Sequence, residues 1–333
     1  MRPGGGEAQR HPRRSVLAFA AAVGSLRAVR AQGAFPERPV RLVVAFPPGG
    51  PTDVVARILA ERMARDLGQP VVVENRGGAN GNIAAEAVAK AAPDGHTLLY
   101  NTSSIAISRA LYRSLPYDAL RDLAPVALTA ASPLALVVHP ALPPRDPAGF
   151  IAWAKANSGR ISYSSGGVGN ISHLLGFLVM RHIGAEATHV PYRGTAAALT
   201  DAAAGNVQFT CDTVVTALPV IQDGRVRAIA VSSAERTPLL PAVPSMAEAG
   251  MMPPGFDVGA WQGIMAPART PAAAAARLNA AVQAALDDPE VRARLAAQGA
   301  QPIGGPPGDY ARYLRDEAGR WGRVVAESGA TAE

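Results

Sequence analysis

With 333 residues, 48% of them apolar, the chain is long enough for two α/β domains with cores of their own. The formal charge of +6 is concentrated at the start: residues 1–31 hold six arginines and one acid, which leaves 26 basic against 25 acidic residues beyond them and removes general basicity as ground for a nucleic-acid role. Only two lysines occur, Lys90 and Lys155, neither beside a glycine-rich loop, which argues against Schiff-base chemistry and a Walker-type phosphate site; the single cysteine, Cys211, excludes an intramolecular disulfide and a cysteine-rich metal site.

Residues 1–31 read as an export signal, with an arginine-bearing start, an apolar run from Ser15 to Leu26, and Val29-Arg30-Ala31 before a cleavage expected after Ala31. Arg13-Arg14-Ser15-Val16-Leu17 resembles a twin-arginine motif, and the general secretory route stays open beside it. The apolar run is shorter than the roughly 20 residues a bilayer requires. No cysteine follows the cleavage point to carry a lipid, so the expectation is a freely diffusing periplasmic protein.

From there strands and helices alternate. Val40–Ala45 reads as a buried strand, Phe46-Pro47-Pro48-Gly49-Gly50-Pro51-Thr52-Asp53 as a turn, and the spacing of Val55, Leu59 and Met63 as a helix closed by Gly68. Prolines remove donors and glycines allow close approach, so the turn can aim the N–H groups of the helix start outward at an anion; an ordinary connection that binds nothing is the alternative. Pro70–Glu74 is a second strand, and Asn75–Asn82 a glycine-rich turn into a helix over Ile83–Ala91. His96–Tyr100 is a third strand, ending in Asn101-Thr102-Ser103-Ser104. In an open parallel sheet ligands sit at the carboxyl ends of strands, so these three turns can converge on one crevice.

The arrangement then repeats. Leu134–His139 reads as a strand, Pro140–Pro147 as passage into a second domain, Phe150–Asn157 as a helix, and Arg160–Ser164 as a strand feeding the turn Ser165–His173. Gly167-Val168-Gly169 imitates the opening of a dinucleotide fingerprint but lacks its third glycine and its acid; as an anion-receiving helix start the turn is well equipped. His189–Thr195 is a further turn, into a helix over Ala196–Ala204, and Arg193 is the cation placed in it, able to pair a carboxylate or to serve as a solvated arginine. A strand ends at Cys211-Asp212-Thr213, with Cys211 a small buried hydrophobe. Val226–Ser232 is another strand, Glu248-Ala249-Gly250 closes a short helix, and Trp261–Pro267 is a strand returning to the first domain. Thr270 is expected to cap a helix running to Leu286, and Asp288-Pro289 to start the next.

The Phe46–Asp53 turn, Asn75-Arg76-Gly77-Gly78, Tyr163-Ser164-Ser165-Gly166, His189–Gly194, Pro244–Gly250 and Trp261–Pro267 together resemble the Bug (TctC-type) family, the periplasmic solute-binding proteins of tripartite tricarboxylate transport, over about residues 35–325. The resemblance implies an α/β Venus-flytrap fold, type II periplasmic-binding-protein-like, with domain 1 over 33–131 plus 262–333 and domain 2 over 132–261. It implies a small carboxylate held between the domains, no cofactor, no metal, no enzymatic activity, a monomer, and membrane transporter subunits as partners. Carried over by position, Phe46, Pro47, Gly49, Gly50 and Asp53, with Thr102 and Ser103 adjoining, form the first-domain side. Ser165, Gly166, Gly169, Asn170 and His173 face them, joined by Tyr192, Arg193, Gly194 and Asp212. Asn170 stands where the family often has serine; an amide both donates and accepts, so carboxylate binding is kept while the ligand's identity is left open.

A rival from another class is an exported α/β hydrolase using Ser165 or Ser172 with His173 or His189, but neither serine has the flanking glycines of a nucleophile elbow. His173, His182 and His189 lack the spacing that puts two metal ligands on one helix face.

Overall fold

A computed structural model describes residue 1, residues 3–6 and residues 35–332. The expected export signal and its cleavage after Ala31 lie, but for those first few residues, outside the described residues.

Strand β1 (Val40–Val44) leads through the glycine turn into α1 (Pro51–Leu67), which Gly68 ends in the left-handed conformation at φ 68°. After β2 (Val71–Asn75) a short 3-10 turn at Ala79–Gly81 precedes α2 (Asn82–Ala89), and β3 (Thr97–Thr102) runs into α3 (Ser104–Leu111) and the short α4 (Ala119–Asp122). Next comes β4 (Leu123–Val138), sixteen residues long and more than twice the expected strand. Pro125 and Pro133 hide its early part in the sequence; register shifts near Pro125 and Leu128 absorb the irregularity against its neighbour.

The second half runs α5 (Pro147–Ala156), β5 (Ile161–Ser165), α6 (Ile171–Ile183), β6 (Ala187–Pro191), α7 (Thr195–Ala203), β7 (Phe209–Thr213), α8 (Val214–Gln222) and β8 (Arg227–Val231). Strand β9 (Gly259–Pro267) returns to pair with β3 and β4, followed by α9 (Ala272–Asp287), α10 (Pro289–Ala297), β10 (Gln301–Pro302) and α11 (Pro307–Ser328).

The strands order as β2-β1-β3-β9-β4-β7-β5-β6, with β8 and β10 also on β4. The flanks β2-β1-β3 and β7-β5-β6 are parallel, while β9 and β4 join them antiparallel, so β4 pairs with β9 over its first part and with β7 and β8 over its last five residues. Residues Pro36–Glu333 form one compact unit. Its largest apolar cluster runs from Val43 and Leu99 through Leu136, Phe209 and Leu175 to Trp261 and Trp321. Helix α11 closes one side by packing on α3, β4 and α6. Among the described residues no helix is long and apolar enough to cross a membrane.

Two local expectations are corrected. Around Glu248-Ala249-Gly250 there are turns rather than a short helix, held where Ser245 Oγ accepts from the Glu248 N–H at 3.0 Å. Thr270 does not cap α9: Pro271 occupies the cap position, and the Thr270 hydroxyl is buried without a partner. Asp288 does cap α10, accepting from Glu290 N and Val291 N.

Candidate functional site

On the β1 side, the turn is fixed from below by Asp53. This carboxylate is buried and accepts from Gly49 N at 2.9 Å, from Arg57 Nε at 2.9 Å and from Asn75 Nδ2 at 2.8 Å. Asn75 Nδ2 also donates to the Phe46 carbonyl, and Arg57 to Asn75 Oδ1, so the turn after β1 is tied to the end of β2. Burial pushes the Asp53 carboxyl up, but the bonds from Arg57, Gly49 N–H and Asn75 outweigh it and hold it below its ordinary value. Asp53 is therefore placed as a lock on the loop, and the Gly49 N–H is spent on it.

What remains for a ligand is the helix start itself. Gly50, in the cap position of α1, offers no side chain, and the N–H groups of Gly50, Thr52 and Asp53 meet no acceptor among the described residues. Gly77 lies against Pro47, a Cβ there meeting Pro47 Cδ at 3.2 Å, and Gly81 against Ala45, so the turn after β2 stacks on the turn after β1. Ala79 and Asn80 in that turn sit at positive φ, 46° and 54°, and the Asn80 amide nitrogen is buried without a partner. Thr102 Oγ1 lies 3.0 Å from Ser104 Oγ, and Ser103 N donates to Trp261 O, which bonds β3's end to β9.

On the β5 side the turn is knitted by its own side chains. Ser165 Oγ contacts Gly167 N and O and lies 2.6 Å from His189 Nε2. Gly166 N donates to Ser172 Oγ, Asn170 Oδ1 caps α6 by accepting from Ser172 N and Oγ, and Gly169 N donates to His173 Nδ1 at 3.1 Å. The α6 start is thus partly satisfied from within. Helix α7 is not: its cap is Gly194 at φ 112°, with no side-chain cap, and the N–H groups of Thr195, Ala196 and Ala197 meet no acceptor among the described residues. Thr195 packs on Gly166, where a Cβ would come within 2.7 Å of Thr195 Cγ2 and 3.3 Å of Asn170 Nδ2.

Tyr192 donates from its hydroxyl to Asp201, while Arg193 is exposed and forms no ion pair among the described residues. Asp212, at the end of β7, is 1% exposed. Its Oδ1 accepts from Thr213 N at 2.7 Å, whereas Oδ2 is buried with no hydrogen-bond partner. Burial raises its carboxyl to about 7; the Thr213 N–H and the nearby Thr195 hydroxyl, which stays outside hydrogen-bonding geometry, oppose this only in part.

His173 and His189 stack at 3.6 Å between ring centroids, with Tyr163 and Phe209 continuing the column. Burial lowers His173 to about 4; burial, with the neighbouring His173, lowers His189 to about 3. Both rings are neutral at pH 7, and the described residues contain no cluster fit for a metal. Among the described residues no carboxylate hydrogen-bonds to the His189 ring, which lies between Ser165 Oγ and the stacked His173.

These shifts set a pH dependence. The unfolded chain takes up protons near pH 6.5 that the folded histidines refuse, so their stabilisation is complete above pH 6.5 and falls away toward pH 4 and 3. Asp212 works in the opposite sense, since the folded state takes its proton near 7 and the unfolded near 3.8. By pH 4.5 His173 removes about 2–3 kcal/mol, the more exposed His189 less, and Asp212 returns about 3 kcal/mol. Urea melts should show a small net loss for the wild type between pH 7 and 4.5 and a loss larger by about 2–3 kcal/mol for Asp212→Asn; parallel curves would refute the assignment.

Of the sequence-predicted residues, Phe46, Pro47, Gly49 and Gly50 lie in the turn after β1, Ser103 after β3, Gly166, Gly169 and Asn170 after β5, and Tyr192, Arg193 and Gly194 after β6, whereas Asp53 lies in α1, His173 in α6, and Thr102, Ser165 and Asp212 at the ends of β3, β5 and β7. Thr195 and Asn80 lie beside these residues without being among them; a glycine directly before a helix start is the sequence signal for Thr195. A pocket of about 530 Å³ is lined by Arg236, Ser245, Glu248 and Gly255 among others and shares no residue with these turns. Of its three charged residues, Arg236 and Glu248 are paired with each other, and Glu235 is the third.

The α/β sheet with helix starts left open at its strand ends is the fold of a periplasmic solute-binding protein. MatC (Rpa3494) from Rhodopseudomonas palustris, solved with bound malate, is 40% identical, with TM-score 0.76, over 87% of this chain and 100% of that one. R. palustris Rpa4515, solved with adipate, is 37% identical, with TM-score 0.80, over 89% and 99%. The protein BugT of Bordetella pertussis is 38% identical over 95% of this chain and 97% of its own length. The model of the tripartite tricarboxylate transporter family receptor matches residues 55–330, and the chain belongs to that family.

Proposed function

We propose that this protein is a periplasmic receptor that captures a small dicarboxylate between two lobes, residues 33–131 plus 262–333 and residues 132–261, and presents it to the membrane subunits of a tripartite transporter. Export would use the signal over 1–31, cleaved near Ala31, and the mature chain would act as a soluble, non-enzymatic monomer. The observation that carries this reading is the pair of uncapped helix starts, α1 behind Gly49-Gly50 and α7 behind Gly194, whose first N–H groups meet no acceptor among the described residues and so suit an anion. The malate and adipate bound by MatC and Rpa4515 support the same chemistry.

In this reading β4 and β9, which pair antiparallel along Leu123–Pro133, carry the chain between the lobes and act as the hinge, and a ligand that bridges the lobes shifts the population toward the closed form. Charge-assisted hydrogen bonds contribute roughly 1.5–3 kcal/mol each. Four or five of them, against association costs of about 4–15 kcal/mol, are compatible with micromolar affinity. Calorimetry with malate, succinate and adipate, and with sugars and divalent cations as controls, is the test. A dicarboxylate should bind at micromolar concentration; heat from sugars or cations with silence from every carboxylate would reject the reading.

A further inference from the structure

A buried acid at an anion site is an electrostatic contradiction that needs resolving. The α7 start presents free N–H groups and the positive end of its dipole, yet the side chain facing Thr195 from β7 is Asp212, with Oδ2 buried and unpartnered. An ionised Asp212 would repel the carboxylate that the helix start attracts.

Among the described residues no cation is placed to neutralise it. Of the elements packed on β7, β4 and α8 carry no ionisable residue, and β5 brings only Tyr163. Helix α6 brings His173, with Arg181 and His182 in its last turn, and β6 behind β5 brings His189, stacked on His173. Helix α7 brings Asp201 in its second half, bonded to Tyr192 and Asn206. Cys211 precedes Asp212 on the strand, and Arg193, in the turn before α7, is exposed. His173 and His189 are neutral at pH 7 and lend no charge.

We infer that Asp212 takes up one proton from solvent as a ligand carboxylate seats on the α7 start, so that the two carboxyl groups share that proton through Oδ2 and capture is coupled to protonation. This rests on the proposed carboxylate-binding function. Two carboxyl groups in contact, away from water, do not both stay ionised, and the shared proton turns the orphan acceptor into a charge-assisted donor. Burial has already brought Asp212 to about 7, so little further perturbation is needed for it to remain protonated in the complex well above neutral pH. The balance is one proton from buffer per ligand bound, with no covalent bond made or broken.

The experiment is calorimetry of the intact protein with adipate and malate from pH 6 to 9, in buffers of different ionisation enthalpy. Near pH 8.5 the wild type should take up close to one proton per ligand, and Kd should rise up to about tenfold per pH unit there. Asp212→Asn supplies a permanent donor, so it should bind with no buffer dependence and a flat Kd. Adipate has no donor other than its carboxyl groups and isolates the shared proton from any contact with malate's hydroxyl.

Buffer-independent heats in the wild type overturn the inference, whether or not the variant folds, while leaving carboxylate binding intact. A folded Asp212→Asn that loses more than tenfold for malate at pH 6 but not for adipate also overturns it, since Asp212 would then act as an ionised acceptor for the hydroxyl. Absence of heat from every carboxylate at every pH removes the functional reading and this inference with it.

Discussion

Replacing Glu317 by alanine lowers the stability of the folded protein by roughly 3–5 kcal/mol, a large share of the 5–15 kcal/mol that holds a typical domain together. Glu317 lies on α11, 6% exposed, and its Oε2 accepts from Trp261 Nε1 at 2.9 Å and from Trp321 Nε1 at 2.8 Å, while Oε1 accepts from Arg320. Both indoles are fully buried, and they are among the largest side chains in the core. Removing the carboxylate leaves two buried N–H donors with no acceptor and opens a void between α11 and β9; each orphaned donor costs about 1–3 kcal/mol. Glu317→Gln keeps an acceptor oxygen and should lose less than half as much. Urea unfolding at unchanged slope is the measurement, and a loss under 1 kcal/mol for Glu317→Ala would show that the carboxylate does not clamp the helix.

The second large effect concerns ligand capture. Gly169→Ala is expected to weaken dicarboxylate binding by about a hundredfold, a loss near 2.7 kcal/mol. Gly169 sits at φ 71°, where a residue with a Cβ is strained by about 1–2 kcal/mol. The added methyl would also fall 2.2 Å from Cδ2 of Leu111, a buried residue at the end of α3 with little room to turn aside. The Ser165–His173 turn meets the first part of the chain at this contact, so the turn must back away, taking with it the Gly169 N–H bond to His173. Calorimetry on a double-mutant cycle with Leu111→Ala separates the two causes: the smaller partner should restore part of the affinity and leave the backbone strain. Wild-type binding by Gly169→Ala alone, or no recovery in the double variant, would defeat the explanation.

Much of the architecture was legible where local rules and burial agree. The alternation of apolar runs placed β1, β2, β3, β5, β7 and β9 within a residue or two, and the helical spacing of Val55, Leu59 and Met63 fell inside α1, because strand and helix periods differ and glycine at 68 and proline at 289 mark helix ends directly. The misses share a cause. The first part of β4 carries Pro125 and Pro133, which locally argue against a strand and are accommodated only because bulges and two neighbouring strands hold the backbone. Thr270 has the side chain of a cap but is buried out of reach of the α9 start, since the chain direction there is set by the packing of α9 on α1 and β4.

The chain order of residues determined which turns carry glycines and hydroxyls, and hence that five strand ends would offer backbone N–H groups. It did not determine which of those groups stay free. Asp53 consumes the Gly49 N–H, and His173 that of Gly169, while α1 and α7 remain open. The resemblance brings Asp212 to the site but says nothing of its charge; the fold buries it facing Thr195 with one oxygen unpaired. Spacing along a chain encodes local hydrogen bonding and periodicity, whereas the charge state and the satisfaction of a buried group depend on neighbours brought in from distant segments, and only the packed structure supplies those.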